Sequence, residues 1–479
     1  MKTETFKKLI LHELGFQPTS DQKKVLVHLE AFENSLKKNP VYILKGYAGT
    51  GKTSLVSAYV KALHKLKKPF VLLTPTGRAA KVLSQYTGFK AHTIHRFIYR
   101  IFTSPNGSHR LIPAKNIMQN TVFVVDEASM INDNSQPGDA LFSSRNLLDD
   151  LLHFVFSGKN NKLVLSGDVA QLPPVGLDIS PALNLEYIKS IISISGYVFE
   201  MKEVMRQSLD SGILTTATAL RKKISTTGIE PPLFNPRHFK SDIVRIDNGY
   251  DLEELLQETF STHHLSNGIV VCHTNKRANL FNRQIRSHIL QRENRIEGGD
   301  LLMVVKNNYY WLDERSKAGF VANGDMVRIV RIKKQEEKYG FTFADAEIEM
   351  LDYPDEKEVE VKLLLDTINI DGAGLSDTDR RRLFERVEQD YAPIPQRQKR
   401  IEEVGKDPFY NALHVKFAYA MTCHKTQGGQ WPVVIVDQGY LADEMINTEY
   451  LRWLYTAITR STEKVFLVNF RQDLFEKDE

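Results

Sequence analysis

Apolar positions along the chain fall into two textures. From about residue 40 to 200, short apolar runs alternate with stretches of helical period. The runs 41–44, 70–74, 122–125 and 163–166 are apolar at nearly every position. Strands that are apolar on both faces belong in the middle of a parallel sheet, covered by helices on each side. Residues 54–66 and 77–86 supply such helices, and 143–154 a further one, after a polar loop at 131–138. The pattern predicts a doubly wound α/β domain. A second α/β run starts near Ile191. Its clearest strands are 269–272 and 433–436, and its clearest helix is 275–290.

Two segments break the alternation. Residues 97–102 and 109–112 flank Ser104-Pro105-Asn106-Gly107-Ser108. Asn-Gly between apolar runs predicts a β-hairpin. Later, 301–306, 326–332, 341–350 and 358–365 are short strand-like runs separated by turns such as Asn323-Gly324-Asp325. They predict a small antiparallel barrel inserted into the second α/β domain. Residues 376–390 form a charged helix with Ser376 as N-cap before Asp379. Its Arg380-Arg381-Arg382 run is a solvated face. No internal repeat or low-complexity tract is present.

The 479 residues suffice for two to four domains. A net charge of +4 argues for no nucleic-acid partner by itself, so any basic surface is local. Two cysteines, Cys272 and Cys423, are too few for a disulfide framework and suit a reducing cytoplasm. No cysteine or histidine spacing suggests a structural metal. Residues 1–15 predict a short amphipathic helix rather than a signal peptide. No stretch has the length of a membrane span, and no membrane partner is expected.

The chemistry concentrates in Gly46-Tyr47-Ala48-Gly49-Thr50-Gly51-Lys52-Thr53. It fits G-x-x-x-x-G-K-[ST], with a strand before it and a helix after it. Gly46, Ala48, Gly49, Thr50 and Gly51 would present backbone N–H groups to phosphates at a helix N-terminus. Lys52 would reach the β- and γ-phosphates of ATP, and Thr53 would ligate Mg²⁺. Asp126-Glu127 ends the apolar run 122–125. In P-loop enzymes a carboxylate there holds Mg²⁺, a role for Asp126, and the second polarises the attacking water, a role for Glu127. In Gly167-Asp168-Val169-Ala170-Gln171-Leu172-Pro173-Pro174, a strand ends in a stiff loop that would bring Gln171 to the γ-phosphate.

Together these segments resemble the RecD and Dda branch of superfamily 1 helicases, superfamily 1B, over nearly the whole chain. Gln22 in Thr19-Ser20-Asp21-Gln22 matches the glutamine that reads adenine. Thr74-Pro75-Thr76-Gly77-Arg78 and Ala91-His92-Thr93-Ile94-His95 match motifs that contact single-stranded DNA, implying roles for Pro75, Thr76, His92 and His95. Arg206 in Val204-Met205-Arg206-Gln207 matches the arginine that touches the γ-phosphate. Thr422-Cys423-His424-Lys425-Thr426-Gln427-Gly428 is close to the fifth motif. It implies DNA contacts for Thr422, His424 and Lys425 and a nucleotide contact for Gln427, with Pro174 also on the DNA side. Tyr455-Thr456-Ala457-Ile458-Thr459-Arg460 matches the sixth motif, whose arginine acts as a finger. The histidines could equally be satisfied loop residues. Phe102, near the tip of the hairpin, stands equally as a wedge that stacks at a DNA fork or as a packing residue of the hairpin.

The resemblance implies two RecA-like P-loop motor domains. The first covers 1–96 and 119–195, interrupted by a hairpin pin at 97–118. The second covers 196–298 and 411–479, interrupted by an SH3-like barrel with its helix at 299–410. It implies ATP- and Mg²⁺-dependent translocation on single-stranded DNA, 5′→3′, with unwinding at a duplex fork, by a monomer. The rival readings are a translocase or remodeller with little unwinding and a non-motor P-loop NTPase. Gln22, Arg460 and the second α/β domain disfavour the last. No clustered Asp/Glu/Lys pattern suggests a nuclease.

Overall fold

The computed structural model describes all residues outside 1–5, 104–108, 134–145, 206–209, 227–229, 261–266, 313–315, 317, 354–355, 373 and 477–479, and side chains also outside 101–103 and 109–111. The first eight strands are β1 Pro40–Gly46, β2 Phe70–Thr74, β3 Ala91–Thr93, β4 Tyr99–Thr103, β5 His109–Pro113, β6 Val122–Val125, β7 Lys162–Gly167 and β8 Ser195–Met201. Six of them make one parallel sheet in the order β3-β2-β6-β7-β1-β8. Along β1, Val41 and Ile43 enter a core with residues of the helices Ile94–Ile98 and Leu147–Ser157. Tyr42 and Leu44 enter the opposite core, with the helices Ser20–Glu33 and Lys52–Lys65. Burial on both faces is why these strands read as unbroken apolar runs.

β4 and β5 pair antiparallel from Tyr99↔Pro113 to Thr103↔His109, directly after the helix Ile94–Ile98. Phe102 lies on β4, but its side chain and the turn 104–108 lie outside the described residues.

The remaining strands are β9 Ile243–Ile246, β10 Gly268–Cys272, β11 Leu301–Val304, β12 Met326–Lys338, β13 Phe341–Met350, β14 Val359–Leu364, β15 Leu413–Phe417, β16 Ala420–Thr422, β17 Trp431–Asp437 and β18 Ser461–Val468. A second parallel sheet runs β16-β10-β17-β18-β9, and β11 to β15 close a barrel. The fold is mixed α/β with two P-loop-type sheet domains, a hairpin in the first and a barrel in the second.

Two expected boundaries move. β8 lies beyond the expected edge at 195, yet it pairs with β1 as the rim of the first sheet, from Pro40↔Ser195 to Gly46↔Met201. Its half-buried pattern does not declare its sheet. The barrel also runs past 410. Its fifth strand, β15, pairs antiparallel with β11 and parallel with β14, so the barrel is not wholly antiparallel. Two helices, Asp377–Asp390 and Arg397–Gly405, intervene, and only Ala418 and Tyr419 separate β15 from β16. Local pattern therefore merges β15 with the motor domain. The expected helix at 275–290 is Asn275–Gln284 followed by a π-helical turn, Ile285–Ile289. The expected helix at 143–154 is Leu147–Ser157, capped by Asn146.

A buried ionic knot joins barrel and motor. Asp300 accepts from Arg286 Nε and an Arg286 terminal nitrogen at 3.0 Å each, from Arg292 at 2.5 Å and from the Tyr419 hydroxyl at 3.0 Å. The stretch after β11 docks on the first domain: Tyr309 and Phe320 enter the core that holds Ile94, Ile98 and Tyr99. Arg96 also donates to the Ser316 carbonyl at 3.1 Å. Both cysteines are buried and free. No described helix is long and apolar enough to cross a membrane.

Candidate nucleotide site and strand-facing cleft

The P-loop leaves β1 and curls into the helix Lys52–Lys65. Gly51 has φ +80°, and a Cβ there would come within 2.5 Å of Gln22 Nε2. Both the left-handed backbone and this contact require glycine. Gln22 is fully buried. Its Oε1 accepts from the Thr19 amide at 3.0 Å, completing a capping box, and its Nε2 donates to the Thr50 carbonyl at 3.0 Å. The glutamine thus braces the P-loop from behind.

Lys52 Nζ donates to the carbonyls of Gly46 at 2.6 Å and Tyr47 at 3.1 Å, and lies 3.8 Å from Asp168 Oδ2. Asp126 and Glu127 sit at the C-terminal end of β6. Burial raises the Asp126 carboxyl, against the pull of Ser166, the Glu127 amide and Lys52. Burial also raises Glu127, with Arg460 and Lys52 acting against it and the charges of Asp126 and Asp168 adding to it. Glu127 has φ +53°, a left-handed conformation uncommon for a side-chain-bearing residue. Such strain, held by its surroundings, recurs at functional sites.

These residues suit a divalent cation with nucleotide. A buried and a half-buried carboxylate, both raised by desolvation, are relieved by a nearby cation. Among the described residues no group of three or more His, Cys, Asp and Glu could hold a metal. Thr53, at the start of the P-loop helix, and Asp126 are the residues that would hold Mg²⁺ together with the phosphates.

Arg460 arrives from the second domain. It is buried just beyond the helix Thr448–Ile458, with Nε donating to the Thr456 carbonyl at 3.1 Å and a terminal nitrogen to the Gly429 carbonyl at 3.4 Å. The other γ-phosphate candidate, Arg206, lies outside the described residues.

Sequence reasoning left Asp168 and Tyr455 without roles. The Tyr455 hydroxyl donates to Asp168 Oδ2 at 2.7 Å and accepts from the Ala48 amide at 2.8 Å. One side chain of the second domain thereby bridges the P-loop and the end of β7. The signal for Asp168 was present, since it ends an apolar strand as Asp126 does. Tyr455 lies inside a quoted motif, but nothing local reveals its partner.

The loop after β7 is stitched to the second domain. The Leu172 amide donates to Thr456 Oγ1 at 2.9 Å, and Gln427 Nε2 donates to the Leu172 carbonyl at 2.7 Å. Gln427, expected to contact nucleotide, thus meets the loop that carries Gln171. Gln171 is buried, and its Oε1 has no hydrogen-bond partner among the described residues.

The candidate strand-binding residues form two groups. Thr76 caps the helix Gly77–Thr87 by accepting from the Ala79 amide at 3.3 Å, with Pro75 just before it. Gly428 approaches so closely that a Cβ would lie 3.0 Å from Thr76 Oγ1. Thr422, His424 and Lys425 precede Gly428 in the second domain, and Pro174 is buried in the loop after β7. Burial lowers His424, with Glu449 and the Pro173 backbone opposing. Lys425 is pushed down to about 8 by burial and by Lys416. Arg78 lies 3.8 Å over the Trp431 ring and donates to the Gln430 carbonyl at 3.4 Å, an unforeseen contact between the domains.

His92 and His95 differ from this group. Burial pushes both down to about 4, helped at His92 by Lys90 and Arg96. Their rings pack against Phe97 and Tyr99. They are neutral at pH 7, so they can offer hydrogen bonds or stacking but not charge.

Two α/β domains thus face one nucleotide pocket, one with the P-loop and carboxylates and the other with a buried arginine. That arrangement is a P-loop domain faced by a second α/β domain. Residues 28–230 match the AAA domain family model, and 417–468 match the UvrD-like helicase C-terminal domain. The ATP-dependent RecD2 DNA helicase of Deinococcus radiodurans is 31% identical over 209 residues, 41% of this chain and 25% of that protein. The ATP-dependent DNA helicase dda of Enterobacteria phage T4 is 26% identical over 327 residues, 65% of this chain and 66% of that one. The alignment thus spans about a quarter of the RecD2 relative. A solved structure of Pif1 helicase from Bacteroides, in complex with ADP-AlF3 and ssDNA, aligns with a TM-score of 0.48 at 13% identity, over 97% of this chain and 95% of that one. In sequence the chain is thus similar to the RecD2 and Dda DNA helicases, with an AAA segment in its first part and a UvrD-like helicase C-terminal segment in its last.

Proposed function

We propose that this protein is an ATP-dependent DNA helicase that moves 5′→3′ along single-stranded DNA and opens duplex at a fork. The observation that carries the reading is Arg460, buried in the second domain yet electrostatically coupled to Glu127 of the first. ATP held by the first domain would be completed across the cleft, so closure would depend on the γ-phosphate.

The residue roles follow from chemistry. Lys52 would leave the Gly46 and Tyr47 carbonyls for the phosphates. Glu127 would accept a proton from the attacking water, and Gln171 would orient that water with its free carbonyl. The guanidinium of Arg460 would meet charge developing on the transferred phosphoryl group. Thr53 and Asp126 would hold Mg²⁺, which would supply further neutralisation of phosphate charge. Release of the γ-phosphate would loosen the contacts of Tyr455, Thr456 and Gln427 with the first domain. Thr76, His424 and Lys425 would then shift relative to one another along the strand. One copy of the chain holds every part of this cycle.

The test compares ATP hydrolysis on single strands with strand separation on a forked duplex. Hydrolysis stimulated by single-stranded DNA together with ATP-dependent unwinding supports the helicase. Stimulated hydrolysis without unwinding favours a translocase or remodeller. Hydrolysis indifferent to DNA would identify a non-motor NTPase.

A further inference from the structure

A second chamber opens beside the nucleotide pocket. It encloses about 280 Å³ at the C-terminal ends of β1 and β7. Lys45 on β1, Ser129 after β6, Asp168 and Gln171 after β7, Ser180 and the second domain's Arg452 line it. Lys45 follows Leu44 in β1, so its side chain points away from the core that holds the P-loop helix. The chamber thus lies behind the P-loop, and Asp168, 3.8 Å from Lys52 Nζ, stands at the boundary between the two spaces.

Its polar lining is unsatisfied. Ser129 Oγ, Ser180 Oγ, Gln171 Oε1 and Arg452 Nε are each buried without a hydrogen-bond partner among the described residues. Ser129 is 1% exposed and Gln171 7%. Natural proteins leave few such atoms, and several around one cavity call for a polar ligand. Among the described residues one terminal nitrogen of the arginine donates to the Asp178 carbonyl at 2.9 Å, and the Asp178 charge also acts on it. Lys45 has no ion pair among the described residues. The opposing carboxylate, Asp168, is already engaged by Tyr455, the Ala170 amide and Lys52. Two cations and two hydroxyls are donors that suit a small oxyanion, and Gln171 Oε1 can accept from a protonated oxygen of it.

We propose that this chamber binds inorganic phosphate, receiving it from the hydrolysis site through the Gln171–Asp168 boundary. The product assignment rests on the ATPase reading above; the anion site does not. Arg452 belongs to the second domain, so the chamber is built from both domains in the nucleotide-free chain itself. Phosphate held there would delay reopening until it leaves.

The experiment is equilibrium binding of radiolabelled inorganic phosphate to the nucleotide-free full chain, alongside phosphate inhibition of DNA-stimulated ATP hydrolysis. Wild type is expected to bind phosphate saturably, and Lys52→Ala to retain that binding. Lys45→Gln and Arg452→Gln should each weaken it about tenfold, and Lys45→Arg should restore most of it. The same substitutions should raise the phosphate concentration needed to inhibit hydrolysis, with KM for ATP changed less than about twofold. Ser180→Ala, a smaller change, should weaken binding severalfold if a cation variant fails to fold. No saturable binding, equal binding in all variants, or loss in Lys52→Ala with retention in Lys45→Gln would overturn the proposal. A chain that binds phosphate at this chamber but hydrolyses no ATP would refute the proposed function instead.

Discussion

Glu127 and Arg460 carry the sharpest expectations at the scale of single residues. Glu127→Gln removes the proton acceptor while keeping shape, so hydrolysis should fall about 10²–10⁴-fold. ATP affinity, measured by binding of a labelled nucleotide, should be nearly unchanged. Arg460→Ala should lower kcat about 10³-fold or more, with a much smaller change in nucleotide affinity, because the guanidinium acts mainly on transition-state charge. Steady-state kinetics with a separate binding measurement would tell this from a simple binding role. Lys425 gives a pH prediction. With its pKa lowered to about 8, the ammonium is charged at pH 7 and largely neutral at pH 9. Affinity for single-stranded DNA should therefore fall as pH rises through 8, and Lys425→Arg, charged throughout, should flatten the profile in an anisotropy titration. The P-loop and the Asp126-Glu127 pair were legible because their chemistry is local: a loop, a strand end and a helix start within a few residues. Asp168 and Tyr455 were not, since their meaning is a 2.7 Å contact across 287 positions of sequence.

At the scale of elements, the strands that pattern predicted best are those buried on two faces. β8 and β15 show where pattern stops. One is a half-buried edge, and the other is separated from its barrel neighbours by two helices, so their partners are set by tertiary packing. The knot at Asp300 is likewise a long-range feature. Asp300→Ala would leave Arg286 and Arg292 without their shared counter-charge and should cost about 3–5 kcal/mol, measured by denaturant unfolding. The hairpin separates motor from wedge. Phe102→Ala should leave DNA-stimulated hydrolysis nearly intact and weaken fork unwinding, since base–aromatic stacking is worth roughly 1–3 kcal/mol. Equal loss of both activities would make Phe102 a packing residue of the hairpin instead.

For the whole molecule, the central feature is that one nucleotide pocket is built from both ends of the chain. Gln22 and Lys52 come from the first domain, and Tyr455 and Arg460 from the last 25 residues. The same helix that carries Tyr455 holds the Gln171 loop, and the Gly428 turn touches the Thr76 cap on the strand-facing side. In the proposed cycle these packed contacts would link nucleotide state to grip on DNA. The barrel is fixed to both domains, by Asp300 on one side and by Tyr309 and Phe320 on the other. Motif order announced two motor domains, but the docking of the barrel stretch onto the first domain appears in no local pattern. The most direct test of the account is unwinding of matched duplexes carrying either a 5′ or a 3′ single-stranded tail, with and without ATP. A 5′→3′ helicase would unwind the 5′-tailed duplex in the presence of ATP and the 3′-tailed one little. Unwinding of the 3′-tailed duplex alone, or of neither while single strands still stimulate hydrolysis, would contradict that reading.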